Sequence, residues 1–185
     1  MRAYDRVHQV AIDQHGLVTT KQAREQDVDT RTIVMMAKRG RLRRLTHGVY
    51  QDLGAPETRW TPYMAAVLWP HGMRGVLSHA TALALMDISD VNPDTIHLTV
   101  PTAYRTHRAH PAGVMLHRAE LRQDDVTEIE GLPVTTAARA IRDCASAAIG
   151  PAFLRQALED ARRQGWLRGT DAHALIEELR EAGHL

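Results

Sequence analysis

The spacing of apolar residues over the first 40 positions predicts three short helices. Val7, Val10 and Ala11 fall on one face at helical spacing. Thr19 or Thr20 and then Asp29 each precede a further helical segment, and their side-chain oxygens suit the free N–H groups of a helix start. The predicted helices cover residues 2–14, 21–26 and 30–39. The short connection between the second and third is typical of a helix-turn-helix.

A predicted hairpin follows the third helix at once. Residues 41–45 and 49–51 are β-capable and flank a turn that contains Gly48. A helix-turn-helix followed directly by a hairpin predicts a winged helix-turn-helix. Residues 52–60 contain Gly54 and Pro56 and read as a linker. We therefore expect two domains, 1–55 and 56–185.

The remainder of the chain predicts a mixed α+β domain. Ile96, Leu98 and Val100 alternate with polar residues, which indicates a strand with one apolar face. Residues 114–117 and 132–134 are its expected partners. Helices are predicted at 62–69, 79–86, 137–147, 152–164 and 171–182. The overall fold class is therefore α+β, with a small sheet and helices at the C-terminal end.

Composition changes this picture only when the chain is divided. The 185 residues carry a net charge of +1, with 44% hydrophobic residues, as in an ordinary globular protein. Residues 1–50 carry a balance of +5, residues 51–119 are neutral, and residues 120–185 carry −4. A basic N-terminal segment and an acidic C-terminal segment suggest a nucleic-acid-binding module joined to a module with another role. A single cysteine and no long apolar run favour a cytoplasmic protein without a membrane span.

Six short strings along nearly the whole chain resemble the AbiEi family of antitoxins. They are residues 14–19 (QHGLVT), 39–41 (RGR), 47–50 (HGVY), 77–83 (LSHATAL), 97–101 (HLTVP) and 132–139 (LPVTTAAR). The resemblance implies a bacterial type IV toxin–antitoxin system. Its antitoxin represses its own operon through a winged helix-turn-helix, and its second domain is needed to neutralise a nucleotidyltransferase-like toxin. Some similar chains continue into a restriction-endonuclease-like domain, which we do not expect here because the sequence ends at Leu185.

The candidate DNA-binding residues lie on the third helix and the hairpin. Residues 38–44 hold five cations in seven positions, and such clusters neutralise DNA phosphates. We expect the helix end at the major groove and the hairpin at the backbone or minor groove. Strand alternation should separate Arg43 from Arg44. The candidate set is Thr30, Arg31, Thr32, Met35, Lys38, Arg39, Arg41, Arg43, Arg44 and His47. A merely solvated basic strand is the alternative.

The base-reading face is partly apolar. Ile33 and Ala37 are assigned to the core, whereas Val34 and Met35 face outward and offer only apolar contacts to bases. Arg31 is therefore the best candidate for a base contact. Alternatively, Val34 and Met35 are buried against a dimer partner or the second domain.

The histidines and hydroxyls do not predict an enzyme or a metal site. His107 and His110 lack a metal-binding motif, and His79 reads as a packing residue. His97 and His117 are expected to be surface residues or a cross-strand pair. Ser78 and His79 should point about 100° apart on a helix and form no dyad. Cys144 reads as a small buried residue. No cofactor is expected.

These patterns favour a cytoplasmic antitoxin that binds double-stranded operator DNA as an autorepressor and counteracts a nucleotidyltransferase-like toxin. A homodimer and direct contact with the toxin are both left open. One alternative is a winged-helix repressor whose second domain senses a ligand or dimerises. Another is a protein-interaction module with vestigial DNA binding. The C-terminal helices, with an apolar stripe that includes Phe153 and an outward acidic face that includes Glu159, Asp160 and Glu177, either cover the sheet or dock a basic partner.

Overall fold

The computed structural model describes residues 2–185, which form two compact units. The first unit ends at Gly75 and the second spans Val76–Leu185. The predicted boundary at 55/56 thus falls inside the first unit. Hydrogen bonds explain the difference, because the Thr61 hydroxyl donates to the His15 carbonyl at 2.9 Å and the Gly75 N–H donates to the Val67 carbonyl at 2.9 Å.

The first unit combines four helices with a three-stranded antiparallel sheet. In chain order its elements are α1 (Ala3–Ile12), β1 (Leu17–Thr19), α2 (Thr20–Glu25), α3 (Thr30–Lys38), β2 (Leu42–Thr46), β3 (Val49–Asp52) and α4 (Thr61–Leu68). The strand order is β1-β3-β2. The helix-turn-helix is formed by α2 and α3, and the hairpin β2–β3 is the wing. The predicted winged helix-turn-helix is confirmed.

A side-chain cap marks the start of each helix of the helix-turn-helix. The Thr19 hydroxyl accepts from the Gln22 N–H at 3.1 Å, and the Gln22 side chain accepts in return from the Thr19 N–H at 2.9 Å. The Asp29 carboxylate accepts from the Thr32 N–H at 2.7 Å. These caps satisfy N–H groups that have no partner within the helix. Both predicted cap positions are confirmed, Thr19 being the correct choice over Thr20.

The strand β1 is an element that the sequence patterns did not predict. Leu17 pairs with Gln51 and Thr19 with Val49, so β1 covers the edge of β3 that faces away from the wing strand β2. Leu17 and Val18 are fully buried. A run of three residues is too short to show alternation, so the sequence pattern does not identify this strand.

A compact apolar core holds the recognition helix α3 in place. Ile33 and Met36 on α3 pack with residues from the other elements of the unit: Val7, Val18, Ala23, Val28, Leu42 and Tyr50. Met36 is thus a core residue and Ala37 only half-buried, whereas the sequence had assigned Ala37 to the core. The burial of Ile33 and Met36 leaves the opposite face of α3 exposed.

The second unit is a mixed five-stranded sheet with four helices. Its elements are β4 (Val76–Leu77), α5 (His79–Leu85), β5 (Ile96–Val100), β6 (Val114–Arg118), β7 (Val126–Ile129), β8 (Leu132–Thr135), α6 (Ala137–Ser146), α7 (Pro151–Arg163) and α8 (Gly169–Glu181). The strand order is β6-β5-β4-β8-β7. The α+β fold class is confirmed, although β4 and β7 were not predicted. No helix among residues 2–185 is long and apolar enough to cross a membrane.

The C-terminal helices correct one predicted core position. Leu154, Ala157 and Leu158 are buried, whereas Phe153 is 42% exposed. Only Phe153 was wrongly placed in the stripe, where Leu154 takes its position, whereas Ala157, Leu158 and Ala161 are buried as predicted. Asp160 is also not fully outward, since its carboxylate accepts from the Ser89 N–H at 3.2 Å.

Candidate nucleic-acid interface

The outer face of α3 carries the predicted base-reading residues. Thr30 and Arg31 are exposed at its first turn, followed by Met35 and Lys38 further along. The Thr30 hydroxyl accepts hydrogen bonds from the Arg24 guanidinium at 3.0 and 3.1 Å. Thr32 is half-buried and its N–H is engaged by Asp29, so it presents less surface than its neighbours. Arg31 is the cation best placed at the start of the helix.

Two apolar residues are exposed on this face, as the sequence predicted. Val34 is 37% exposed and Met35 is 39% exposed, but Met36 is 8% exposed and belongs to the core. The apolar run at 34–36 is therefore divided between surface and interior. Val34 and Met35 are available for contacts with thymine methyl groups or with another apolar surface.

A shallow groove lies between α3 and the wing, and we call it the basic groove. Three of its lining residues are cations: Lys38 from the last turn of α3, and Arg43 and Arg44 from β2. The rest of its lining is formed by Val34, Ala37, Leu42, Tyr50 and Leu53. The helix and the first wing strand thus bring their positive charges to one concave surface.

Arg43 and Arg44 are held by different partners on the wing. The Arg43 guanidinium donates to the Gln51 side-chain oxygen at 3.1 and 2.5 Å. The Arg44 guanidinium donates to the Thr46 carbonyl at 3.2 Å and contacts His47 Nδ1 at 3.1 Å. The register is regular here, with Arg43 opposite Gln51 and Arg44 opposite Tyr50, so the two side chains leave opposite faces of β2, as strand alternation predicts. Both residues nevertheless contribute to the lining of the basic groove.

The remaining two cations of the basic run are not among the residues that line the groove. The Arg41 guanidinium lies 4.8 Å from the centre of the Tyr4 ring on α1, which is cation–π distance. Arg39 is the exposed C-cap residue of α3. Lys38, Arg43 and Arg44 are therefore brought together in the groove, whereas Arg41 is turned toward α1. His47 is not among the lining residues but contacts Arg44, which is.

A buried carboxylate anchors the far end of the wing, and no sequence pattern predicted it. Asp52 at the end of β3 is fully buried. Its carboxylate accepts from the Tyr4 hydroxyl and the Gly54 N–H, both at 2.9 Å, and lies 2.6 Å from His8 Nδ1. These contacts tie β3 to α1. Burial and the Asp52 carboxylate both raise the pKa of the Tyr4 phenol.

The Ser78–His79 geometry in the second unit differs from the prediction. His79 Nδ1 lies 2.9 Å from Ser78 Oγ, so the two side chains do meet. The predicted 100° separation assumed an ordinary helix, but His79 has a φ of 52° and Ser78 lies in an extended conformation before α5. Ser78 is fully buried and its oxygen also accepts from the Thr99 hydroxyl at 2.7 Å. This contact is part of a buried hydrogen-bond chain.

Cys144 is buried on α6, as expected. Burial raises the pKa of its thiol to about 12. The thiol is therefore protonated at neutral pH and is a poor nucleophile.

A winged helix-turn-helix that gathers cations between its recognition helix and its wing defines the class of DNA-binding regulators. Comparison with known families agrees with this class. Residues 5–51 match the model of a family described as a transcriptional regulator, AbiEi antitoxin. The resemblance noted in the sequence is thus confirmed for the helix-turn-helix region.

Comparison with solved structures finds a protein of similar fold. The crystal structure of the RV2827C protein from Mycobacterium tuberculosis has a TM-score of 0.57 and 18% sequence identity, covering 95% of this chain and 71% of that chain. At this identity the similarity concerns the fold alone. No curated protein matches the sequence.

Proposed function

We propose that this chain is an antitoxin that binds double-stranded operator DNA as a non-enzymatic autorepressor and counteracts a nucleotidyltransferase-like toxin in the cytoplasm. The observation that carries the DNA-binding part is the basic groove, with Lys38, Arg43 and Arg44 along one surface. Clustered exposed cations supply the sequence-independent part of DNA affinity because each contact with a phosphate releases counterions. The family match over residues 5–51 supports the regulator and antitoxin roles.

The arrangement favours a division of labour between α3 and the wing. The first turn of α3 presents the exposed side chain of Arg31, which suits contact with the major groove. Arg43 and Arg44 on the wing suit phosphates, since Gln51 and His47 already fix their side chains. Arg31 would then read bases, and the wing would set the position of the protein on the duplex.

Gel-shift titrations of the full chain with DNA from upstream of its own gene test this proposal. Arg43→Ala and Arg44→Ala should each weaken binding to all sequences and reduce the salt slope by about one. Arg31→Ala should weaken binding to the operator by about 1–3 kcal/mol and affect random DNA less. Arg180→Ala removes the same charge from an exposed position on α8 and serves as the control. Affinity that is unchanged in the wing variants would refute the assignment of the groove.

The antitoxin role needs a separate experiment. Co-expression of the full chain with the neighbouring gene product should restore growth if the chain counteracts a toxin. Failure of rescue by a protein that still binds its operator would favour the plain repressor, whose second unit senses a ligand or dimerises. Rescue by an Arg43→Ala and Arg44→Ala double variant would show that neutralisation does not depend on operator binding.

A protein-interaction role is supported by one observation only. Val34 and Met35 expose apolar surface in the middle of the recognition helix. A partner or a second copy that covers them would occlude α3 from DNA. Val34→Ser with Met35→Ser should abolish such an association and leave the salt-dependent part of DNA binding intact.

A further inference from the structure

Three histidines that are distant in sequence come together in the second unit. His79 is the first residue of α5, His97 lies on β5 and His117 lies on β6. Each offers one ring nitrogen, and these nitrogens all lie within 4.8 Å of one another. We call these three residues the histidine cluster. It belongs to no part of the DNA-binding surface and is not used by the proposed function.

The sheet register explains why the two strand histidines meet. The strands β5 and β6 are parallel, with His97 opposite Met115 and Thr99 opposite His117. Residues two apart on a strand share a face, so His97 and His117 lie on the same side of the sheet as diagonal neighbours. His97 Nδ1 is 3.0 Å from His117 Nε2. His97 and His117 thus form the cross-strand pair that was one of the two expectations from the sequence.

His79 completes the cluster from the start of α5. Its ring is stacked on that of His117 with centroids 3.6 Å apart, and 5.6 Å from the ring of His97. His79 Nδ1 lies 2.9 Å from the buried Ser78 oxygen. In the tautomer that carries its proton on Nδ1, the ring donates to this oxygen and His79 Nε2 keeps its lone pair. A hydrogen bond from the second ring nitrogen to a neighbouring oxygen is the usual way in which proteins orient a histidine that binds a metal.

All three rings are half-buried within the second unit. Neutral imidazole nitrogens are preferred ligands of zinc and of similar transition metals.

We propose that His79, His97 and His117 form a binding site for a divalent transition-metal ion, with Zn²⁺ as the natural occupant. Zinc–nitrogen bonds of about 2.0–2.1 Å place tetrahedral ligands roughly 3.4 Å apart. The His97–His117 nitrogen distance of 3.0 Å is already close to this value. One of these two nitrogens carries the proton of their hydrogen bond, and that proton moves to the other nitrogen of the same ring when the ion binds. His79 has to turn its ring out of the stack so that its lone pair points to the ion. Water supplies the fourth ligand, as in other three-histidine zinc sites.

Such an ion would link α5, β5 and β6 through a single centre. The sheet order places β5 between β4 and β6, so the ion would bind the edge strand β6 to the interior of the sheet through His97. Metal binding would therefore stabilise the second unit, because the ligands are assembled only in the folded chain. This role is independent of the basic groove.

Titration of the chelator-treated full chain with Co²⁺ tests the proposal, since Co²⁺ takes the place of Zn²⁺ and absorbs visible light when bound in a tetrahedral site. We expect an absorption band that saturates at one equivalent of Co²⁺ and disappears when Zn²⁺ is added. His79→Gln, His97→Gln and His117→Gln should each weaken binding by more than about 100-fold, beyond the effect of losing an outer partner. His107→Gln, an exposed histidine in the same unit, is the matched control and should bind as the wild type does.

Three outcomes would overturn the site. Absence of a saturable band would mean that the rings form only a packed stack. Binding that persists in the glutamine variants would mean that other histidines hold the ion. Because loss of the fold in a glutamine variant would also abolish binding, imidazole NMR spectra of the wild type provide a second measurement. Zn²⁺ should shift the signals of these three rings selectively, and uniform or unrelated shifts would also refute the proposal.

Discussion

The basic groove and the histidine cluster both gather nitrogen-bearing side chains, but they present them in opposite states. Arg43 and Arg44 are exposed and remain charged, because a guanidinium does not lose its proton in proteins. His79 and His117 are half-buried and neutral at pH 7, because burial lowers their pKa values. The first group is suited to attract phosphates, and the second is suited to donate lone pairs.

This comparison shows that the surroundings decide what a basic side chain does. In the groove, both arginines are exposed to water, and side-chain contacts with Gln51 and His47 position their guanidinium groups. In the cluster, the rings are fixed by strand register, stacking and the Ser78 oxygen. DNA binding at the groove should therefore weaken as the salt concentration rises. Metal binding at the cluster should instead depend on how the sheet positions the three rings.

The largest expected effect comes from removing the support beneath the groove without changing any charge. Ile33 is 1% exposed in the core of the first unit. Ile33→Ala should lower the free energy of unfolding by about 2–5 kcal/mol, since it removes buried methyl groups and leaves a cavity. Denaturant unfolding measures the loss, and DNA affinity should fall with it.

The exposed neighbour of Ile33 provides the control. Val34→Ala on the same helix should change stability by no more than about 0.5 kcal/mol. Co²⁺ binding at the histidine cluster should survive Ile33→Ala, because the cluster lies in the second unit. Loss of both activities in this variant would mean that the two units do not fold separately.

A salt titration compares the two regions directly. If Lys38, Arg43 and Arg44 each contact one phosphate, raising the salt from about 50 to about 200 mM should weaken DNA binding roughly 40-fold. Metal binding by three neutral rings should change little over the same range. Gel shifts and Co²⁺ absorbance measure the two responses on one sample. If DNA affinity does not change with salt, the groove does not contact phosphates. If Co²⁺ affinity falls steeply with salt, the three ligands are not neutral.

The sequence predicted the parts of the fold that depend on neighbouring residues. Helix α3 was identified from its cap Asp29 and its apolar positions, and the wing from two runs around Gly48. These signals are local, because a cap, a turn and a helical face each involve residues within a few positions of one another. The same reasoning located the basic run, although it did not show that Arg41 would turn toward Tyr4.

The parts that sequence reasoning missed depend on residues far apart in the chain. The strand β4 has two residues, Val76 and Leu77, and is recognisable only through its pairing with Thr99 and Leu98. The histidine cluster likewise arises from the parallel register of β5 and β6, which no periodicity reveals. The misplaced Ser78–His79 geometry follows from a positive φ at a residue that is not glycine, which statistics of helices do not anticipate.

The smallest expected effect concerns the cap of the recognition helix. Asp29 accepts a hydrogen bond from the Thr32 N–H at 2.7 Å, and hydrogen bonds from Thr32 hold the pKa of this carboxyl below its usual range. Asp29→Ala should lower the thermal midpoint of the first unit at neutral pH, because the first turn of α3 loses its acceptor. A group with a lowered folded pKa stabilises the protein above its unfolded pKa, so the difference from the wild type should shrink below about pH 3.9.

Asparagine at this position separates the hydrogen bond from the charge. Asp29→Asn keeps a good capping side chain, so it should unfold near the wild-type midpoint at neutral pH and show no loss at acidic pH. It also removes a negative charge beside Arg31, which should slightly strengthen binding to DNA. Thermal unfolding followed by circular dichroism at pH 7 and pH 3 distinguishes the three proteins. If the alanine and asparagine variants lose the same stability, the charge of Asp29 and not its hydrogen bond stabilises the start of α3. The helix that forms one side of the basic groove would then itself depend on electrostatic stabilisation.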